Sequence, residues 1–160
     1  MKERSELVLL IPLLSVCCAP RAVDRVHAPF PEAQKEIERT IHELLDAAQA
    51  KDFPRLEGMH LYGPKFSRWD VRNSTRQDAE ATRQAERAGI EPLDSFRASA
   101  EDLKVDVFGE VAVATFVMPY EAARGGQSSS SKVKATLVWV KTGSGWKIAH
   151  EHLSAFPAAP

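Results

Sequence analysis

The C-terminal quarter of the chain limits its fold more than any other part. Lys132 to Lys141 (Lys-Val-Lys-Ala-Thr-Leu-Val-Trp-Val-Lys) is rich in β-branched and aromatic residues, and Thr142-Gly143-Ser144-Gly145 after it is turn sequence. Together with Gly145 to Ser154 this predicts an antiparallel hairpin. Side chains alternate along a strand, so Trp146, Ile148, His150 and His152 are expected on one face. Two imidazoles sharing a wall with two large apolar groups point to a pocket or an interface.

The chain has 21 basic and 22 acidic residues and a net charge of -1. That balance provides no field to attract nucleic acid or an anionic membrane, so a small or neutral ligand is the expected partner. Lys2 and Arg4 precede an apolar run, Leu7 to Val16, that is too short to span a bilayer but suits the core of a signal peptide. Residues 1–20 therefore read as a leader, and the protein as exported, either periplasmic or secreted. The two cysteines, Cys17 and Cys18, end that run. Leu14-Ser15-Val16-Cys17 approaches a lipoprotein signal, with Val16 where a small residue is expected and Glu3 and Glu6 opposing the positive start. A lipid anchor at one of these cysteines would be the sole link to a membrane; an unprocessed N-terminus is the other reading. A mature domain without cysteine has no disulfide to rely on. Residues 21–31, with Pro29 and Pro31, read as a tether, which leaves residues 32–157 as a domain of roughly 130 residues with one core.

Within that domain Ile37, Ile41, Leu44, Leu45 and Ala48 recur at helical spacing. Asp52 stands as N-cap to a short second helix closed near Gly58. Lys65 to Val71 reads as a short strand. Ser74 and Gln77 have capping-box spacing for a helix ending near Gly89, with Arg76, Asp78, Glu80, Arg83, Glu86 and Arg87 as its solvated side. Leu103, Val105 and Val107 alternate, Phe108-Gly109-Glu110 turns, and Val111 to Tyr120 is apolar on both faces. Helices can cover one face, and a second protomer is the economical cover for the other, which predicts a homodimer through the sheet. Glu121 to Ser131 (Glu-Ala-Ala-Arg-Gly-Gly-Gln-Ser-Ser-Ser-Ser) is expected to be a mobile hairpin loop, or more sharply a ligand lid.

The stretch TLVWVKTGSGWKIAHEHLS, ending His-x-His-x-Ser after a Gly-x-Trp turn, resembles the terminal hairpin of nuclear transport factor 2-like domains. The likeness is strongest to the SnoaL-like branch and to the association domain of calcium/calmodulin-dependent kinase II. AAQAKDFPRLEGMH supplies the helix, turn and short helix that open that family's domain. The resemblance covers roughly Glu32 to Phe156. It implies an α+β cone, a strongly curved antiparallel sheet with helices packed on one face, enclosing a pocket and pairing through the sheet. The scaffold hosts isomerases, cyclases, dehydratases and non-catalytic assembly domains, so it does not decide the chemistry.

Candidate site residues follow one by one. Asp70, after Trp69, resembles the acidic position that serves as general base in ketosteroid isomerase-type members. An aromatic wall would raise its pKa, whereas the plain alternative is a surface Asp opening a turn. That chemistry also needs an acid, usually a tyrosine of the first helix. Here the tyrosines are Tyr62 and Tyr120, neither in the first helix, and Tyr62 could substitute from the loop after the second helix. His150 and His152 could form an acid–base pair or be structural. With Asp70 or Glu121 they would also give three metal ligands, but without a further signature neither metal nor cofactor is expected. The kinase association domain lines its pocket with arginines on its last two strands, and aligning the Trp landmarks places Leu137 and Leu153 there instead. A neutral, apolar ligand follows. Two classes stand: a ligand-binding or enzymatic pocket built from Tyr62, Trp69, Asp70, Trp139, His150 and His152, or a non-catalytic dimeric module of the cell envelope.

Overall fold

A computed structural model describes residues 24–156. The expectations for residues 1–20, including Cys17 and Cys18, fall outside that range. In chain order the elements are α1 (Pro31–Gln49), α2 (Phe53–Gly58), β1 (Ser67–Trp69), α3 (Ala79–Ile90), β2 (Ser95–Ala98), β3 (Glu101–Phe108), β4 (Val111–Arg124), β5 (Gln127–Thr142) and β6 (Gly145–Ala155). The strands form one six-stranded sheet in the order β1-β6-β5-β4-β2, with β3 also paired to β4. All pairs are antiparallel except β1 with β6. The fold is the expected α+β class, a curved and unclosed sheet with its helices on the concave side.

Local chemistry accounts for most of these elements. Ile37, Ile41, Leu44, Leu45, Ala47 and Ala48 bury one stripe of α1. Gln34 Nε2 donates to the Val105 carbonyl at 2.9 Å and ties the helix to β3. Phe30, just before α1, packs against the same core, so the end of the expected tether is docked onto the domain. Asp52 caps α2 by accepting from the Arg55 amide at 3.2 Å. The cap of α3 is Asp78, which accepts from the Ala81 amide at 2.9 Å. The expected cap at Ser74, four residues upstream, does not form, because Gln77 instead pairs its backbone with Arg68, N–H to carbonyl at 2.9 Å in both directions.

The serine-rich segment is the clearest departure. β4 and β5 stay paired to Arg124 and Gln127, leaving a two-residue turn at Gly125 and Gly126 where a loop of eleven residues was expected. Both glycines have positive φ, 57° and 78°, which matches the twist of flanking strands in a tight hairpin and is open to glycine at little cost. A ladder needs only backbone groups, so the exposed serines extend it without burying anything.

Trp139, Ile37, Ile41 and Ile148 are fully buried, and Trp146, Ala112 and Ala114 join them beneath α1. β6 then changes face. Trp139 pairs with Ile148 but the adjacent Val138 pairs with His150, so Ala149 is an extra residue on β6, a β-bulge. Beyond it Glu151 is buried, and His150 and His152 turn to the convex side. The single-face expectation for Trp146, Ile148, His150 and His152 is therefore wrong, because period two fails across a bulge.

Candidate functional site

Between α1, α3 and the concave face of β4, β5 and β6 lies a cavity of about 290 Å³. Its walls are mainly apolar, with Leu44, Leu56, Phe96, Phe116, Leu137 and Leu153 among them, and one end is built from His60, Arg68, Asp70, Arg72, Glu86 and Glu151.

That polar end is assembled by backbone pairing on the free edge of β6. The segment after α2 comes first: the Leu61 amide donates to the Ile148 carbonyl at 2.8 Å and the Ile148 amide to Met59 at 2.9 Å. This sets His60 under the strand. β1 then takes over, with Ser67, Arg68 and Trp69 opposite His150, Glu151 and His152. Alternation along β1 turns Arg68 inward and Trp69 outward.

His60 Nδ1 lies 2.9 Å from the Leu56 carbonyl and Nε2 lies 2.9 Å from Glu151 Oε1. Both partners are acceptors, so the ring fits best as a doubly protonated imidazolium against the Glu151 carboxylate. Arg68 is 5 % exposed. Its Nη2 donates to Asp70 Oδ2 at 2.7 Å and its Nη1 to Glu86 Oε1 at 3.3 Å. Tyr62 Oη donates to Glu86 Oε2 at 3.0 Å, and the Tyr62 ring stacks on His60 with centroids 4.7 Å apart. Arg72 closes the set, bonding both Asp70 oxygens through Nε and Nη2 at 3.1 and 3.3 Å.

The carboxyls differ in their proton affinity. Burial is the largest influence on Glu86 and pushes its pKa up, with the Glu151 charge acting in the same direction against His60 and Arg68. For Glu151 burial also pushes upward, but His60 and Arg68 outweigh it and hold the carboxyl below its ordinary value. Burial pulls His60 down, and the Glu151 charge and hydrogen bond more than reverse this, so its pKa is raised. Asp70 is lowered: burial is outweighed by hydrogen bonds from Arg72 and the charge of Arg68. Tyr62 is raised by burial and by the charges of Glu86 and Glu151, so it donates rather than ionises.

The structure therefore divides the sequence candidates. Asp70, Leu137 and Leu153 line the cavity. Asp70 is a twice-paired carboxylate of lowered pKa, the reverse of a base raised by an aromatic wall, and Trp69 is 40 % exposed on the outer side. Tyr62 does not line the cavity but is bonded to Glu86, which does. Trp139 is sealed in the apolar core. His150 and His152 lie on the convex surface, where His150 Nδ1 meets Ser67 Oγ at 2.9 Å. Glu121 cannot complete a metal triad with them. It lies eight residues along β4 from Val113, which is across β5 from His150, a span of roughly 26 Å.

Sequence reasoning missed His60, Arg68, Glu86 and Glu151. Glu86 was assigned to a solvated helix side but faces inward, while Arg83 and Arg87 stay outside over the rings of Tyr62 and Phe53. One signal was present in the sequence: Leu153 is out of phase with Trp146 and Ile148, as a bulge between them requires. His60, Glu86 and Glu151 bring potential metal-ligand atoms within 4.8 Å of one another, but Arg68 already bonds Glu86 and lies against Glu151 there.

Comparison with known proteins agrees with this architecture. No curated protein matches the chain. Among solved structures it is similar to a nuclear transport factor 2-like superfamily protein from Salmonella enterica serovar Typhimurium, with a TM-score of 0.74 and 20 % identity over 81 % of this chain and 95 % of that one. It is also similar to the calcium/calmodulin-dependent kinase II hub of S. rosetta, with a TM-score of 0.66 and 21 % identity over 81 % and 99 % of the two chains. A third is a protein assigned as a scytalone dehydratase from Novosphingobium aromaticivorans, with a TM-score of 0.67 and 10 % identity over 78 % and 88 %. At these identities the likeness is one of fold. Residues 37–159 match the SnoaL-like domain family, and the chain belongs to it.

Proposed function

We propose that this SnoaL-like domain takes a small, largely apolar molecule with one polar end into its cone and carries out acid–base chemistry there. The observation that carries this reading is a mainly apolar cavity ending in one buried cluster of ionisable groups whose proton affinities are pushed apart. His60 and Glu151 form a closed ion pair that fixes charge. Glu86 lines the cavity and holds a proton more readily than a free carboxyl, so it is the group best suited to give a proton to a ligand oxygen or to accept one back. Isomerase, cyclase and dehydratase reactions all need such a transfer beside an apolar body. The apolar run with basic residues at the start of the chain supports export, with Cys17 or Cys18 as a lipid-anchor position.

We further propose a homodimer through the convex face, where Val111 is exposed and Val113, Val117 and Val138 are half-buried. That face also favours a second reading, a dimeric assembly module without chemistry. Native mass spectrometry of the isolated chain, compared with its denatured mass, separates the two. A dimer with an additional small mass supports the pocket. An empty dimer that no small apolar compound stabilises supports the assembly module.

A further inference from the structure

At the polar end of the cavity most carboxylate oxygens are already engaged, while some cationic donors are not. Each oxygen of Asp70 already receives a guanidinium, and each oxygen of Glu86 receives a donor, Tyr62 Oη on one and Arg68 Nη1 on the other. Glu151 Oε1 is taken by His60. On the cationic side, Arg68 Nε is buried 3.3 Å from Glu151 Oε2 but out of line for a hydrogen bond, and it has no partner among the described residues. A buried donor left unmet is costly, so a ligand acceptor that reached it would be held firmly.

Arg72 at the entrance carries a donor that is not committed within the described residues. Its side chain lines the cavity yet is 66 % exposed, which places it at the mouth. Nε and Nη2 are committed to Asp70, while Nη1 has no bond among the described residues. Nη1 lies over Gly89 of α3, where an added Cβ would sit 3.6 Å away, and any longer side chain would compete for the space beside it. Arg68, Arg72 and His60 face Asp70, Glu151 and Glu86, so any cationic donor not committed to one of these carboxyls is open to a ligand acceptor.

We infer that the ligand ends in a carboxylate, which docks on Arg72 Nη1 at the mouth beside Gly89 while its apolar body extends toward Leu44, Phe116 and Leu137. This rests on the cavity reading above and adds the ligand class and a specificity-determining residue. It reverses the neutral-ligand expectation, which considered only the last two strands and so omitted the arginines supplied by β1 and the loop after it.

The test uses three probes with the same tail, octanoate, octan-1-ol and octylamine, titrated into the full chain at neutral pH by calorimetry and thermal shift. Octanoate should bind about ten-fold tighter than octan-1-ol, with octylamine weakest, as expected for one charge-assisted contact. Arg72→Gln should bring octanoate down to the octan-1-ol level and leave octan-1-ol unchanged, and Arg72→Lys should restore part of the difference. Arg72 is largely exposed and Asp70 keeps Arg68, so the Gln variant should stay folded, melting modestly below the parent without ligand because Asp70 loses its Arg72 side-chain bonds. Equal affinity for octanoate and octan-1-ol would overturn the inference, as would a parallel loss of both in Arg72→Gln. Absence of binding by all three would overturn the cavity reading and this inference with it, a result distinct from binding without preference.

Discussion

On either side of Ala149, strand β6 contributes to two interiors of opposite character. Before it, Trp146 and Ile148 join Trp139 and α1 in an apolar core. After it, Glu151 and Leu153 face a cavity where six ionisable side chains meet. The flanking strand β5 runs past both regions with its alternation intact, as Val133, Ala135, Leu137 and Trp139 are all buried. One unpaired residue thus separates a sealed core from a site. A bulge re-aims every later side chain at the cost of a single ladder position.

Removing that residue is the strongest way to break the contrast. Deletion of Ala149 forces either Trp146 and Ile148 or Glu151 and Leu153 onto the convex face, so cooperative melting by circular dichroism should be lost. A variant that melts within about 1 kcal/mol of the parent would show that the bulge is incidental.

The two regions should then respond differently to truncation. Trp139→Ala empties the apolar side and should cost about 3–5 kcal/mol in denaturant unfolding, with no change in pH dependence. Glu151→Ala acts on the other side, where it leaves Arg68 and His60 buried without their shared anion. A loss of about 3 kcal/mol is expected, softened because His60 can shed its proton. The accompanying signature is a fall in the His60 pKa, read by NMR, because Glu151 is what overcomes burial there. An unmoved His60 titration would contradict the pairing.

The parent protein's pH profile sharpens this further. Glu151 is held below its ordinary 4.5, so its contribution is present above pH 4.5 and is lost as pH falls through its folded value. His60 is raised above its ordinary 6.5, so its contribution is complete below pH 6.5 and is lost as pH rises through its folded value. Glu86 is raised, so its ionisation above pH 4.5 subtracts from stability. Stability should therefore peak between pH 4.5 and 6.5, and a maximum above about pH 8 in denaturant titrations would contradict the arrangement. The smallest effect should come from the two convex histidines. His150→Ala removes one partly exposed bond to Ser67 and should cost about 1 kcal/mol or less, and His152→Ala about half of that.

How much was legible in the sequence followed the range of the forces involved. α1, α2 and the β5–β6 hairpin were readable because apolar period, capping and turn chemistry act over a few residues. β2 was not foreseen: its four residues are half-exposed and carry no period to detect. The glycine–serine stretch was misread because paired backbone, not burial, holds it. Of the site, Asp70, Leu137 and Leu153 were located, but Glu86 looked like any other charge on a mixed helix and Glu151 like a spacer between two histidines.

By itself the sequence determined the class of fold and the family, because strand and helix periods, the Asp52 cap and the Thr-Gly-Ser-Gly turn are local instructions. Tertiary structure alone decided which charges are buried. Arg68, Glu86 and Glu151 come from β1, α3 and β6, and they meet because Met59–Leu61 and then Ser67–Trp69 pair with the free edge of β6 on either side of a bulge. No property of a single charged residue records that meeting. The energy that makes it tolerable, mutual neutralisation away from water, exists only once all three are in place.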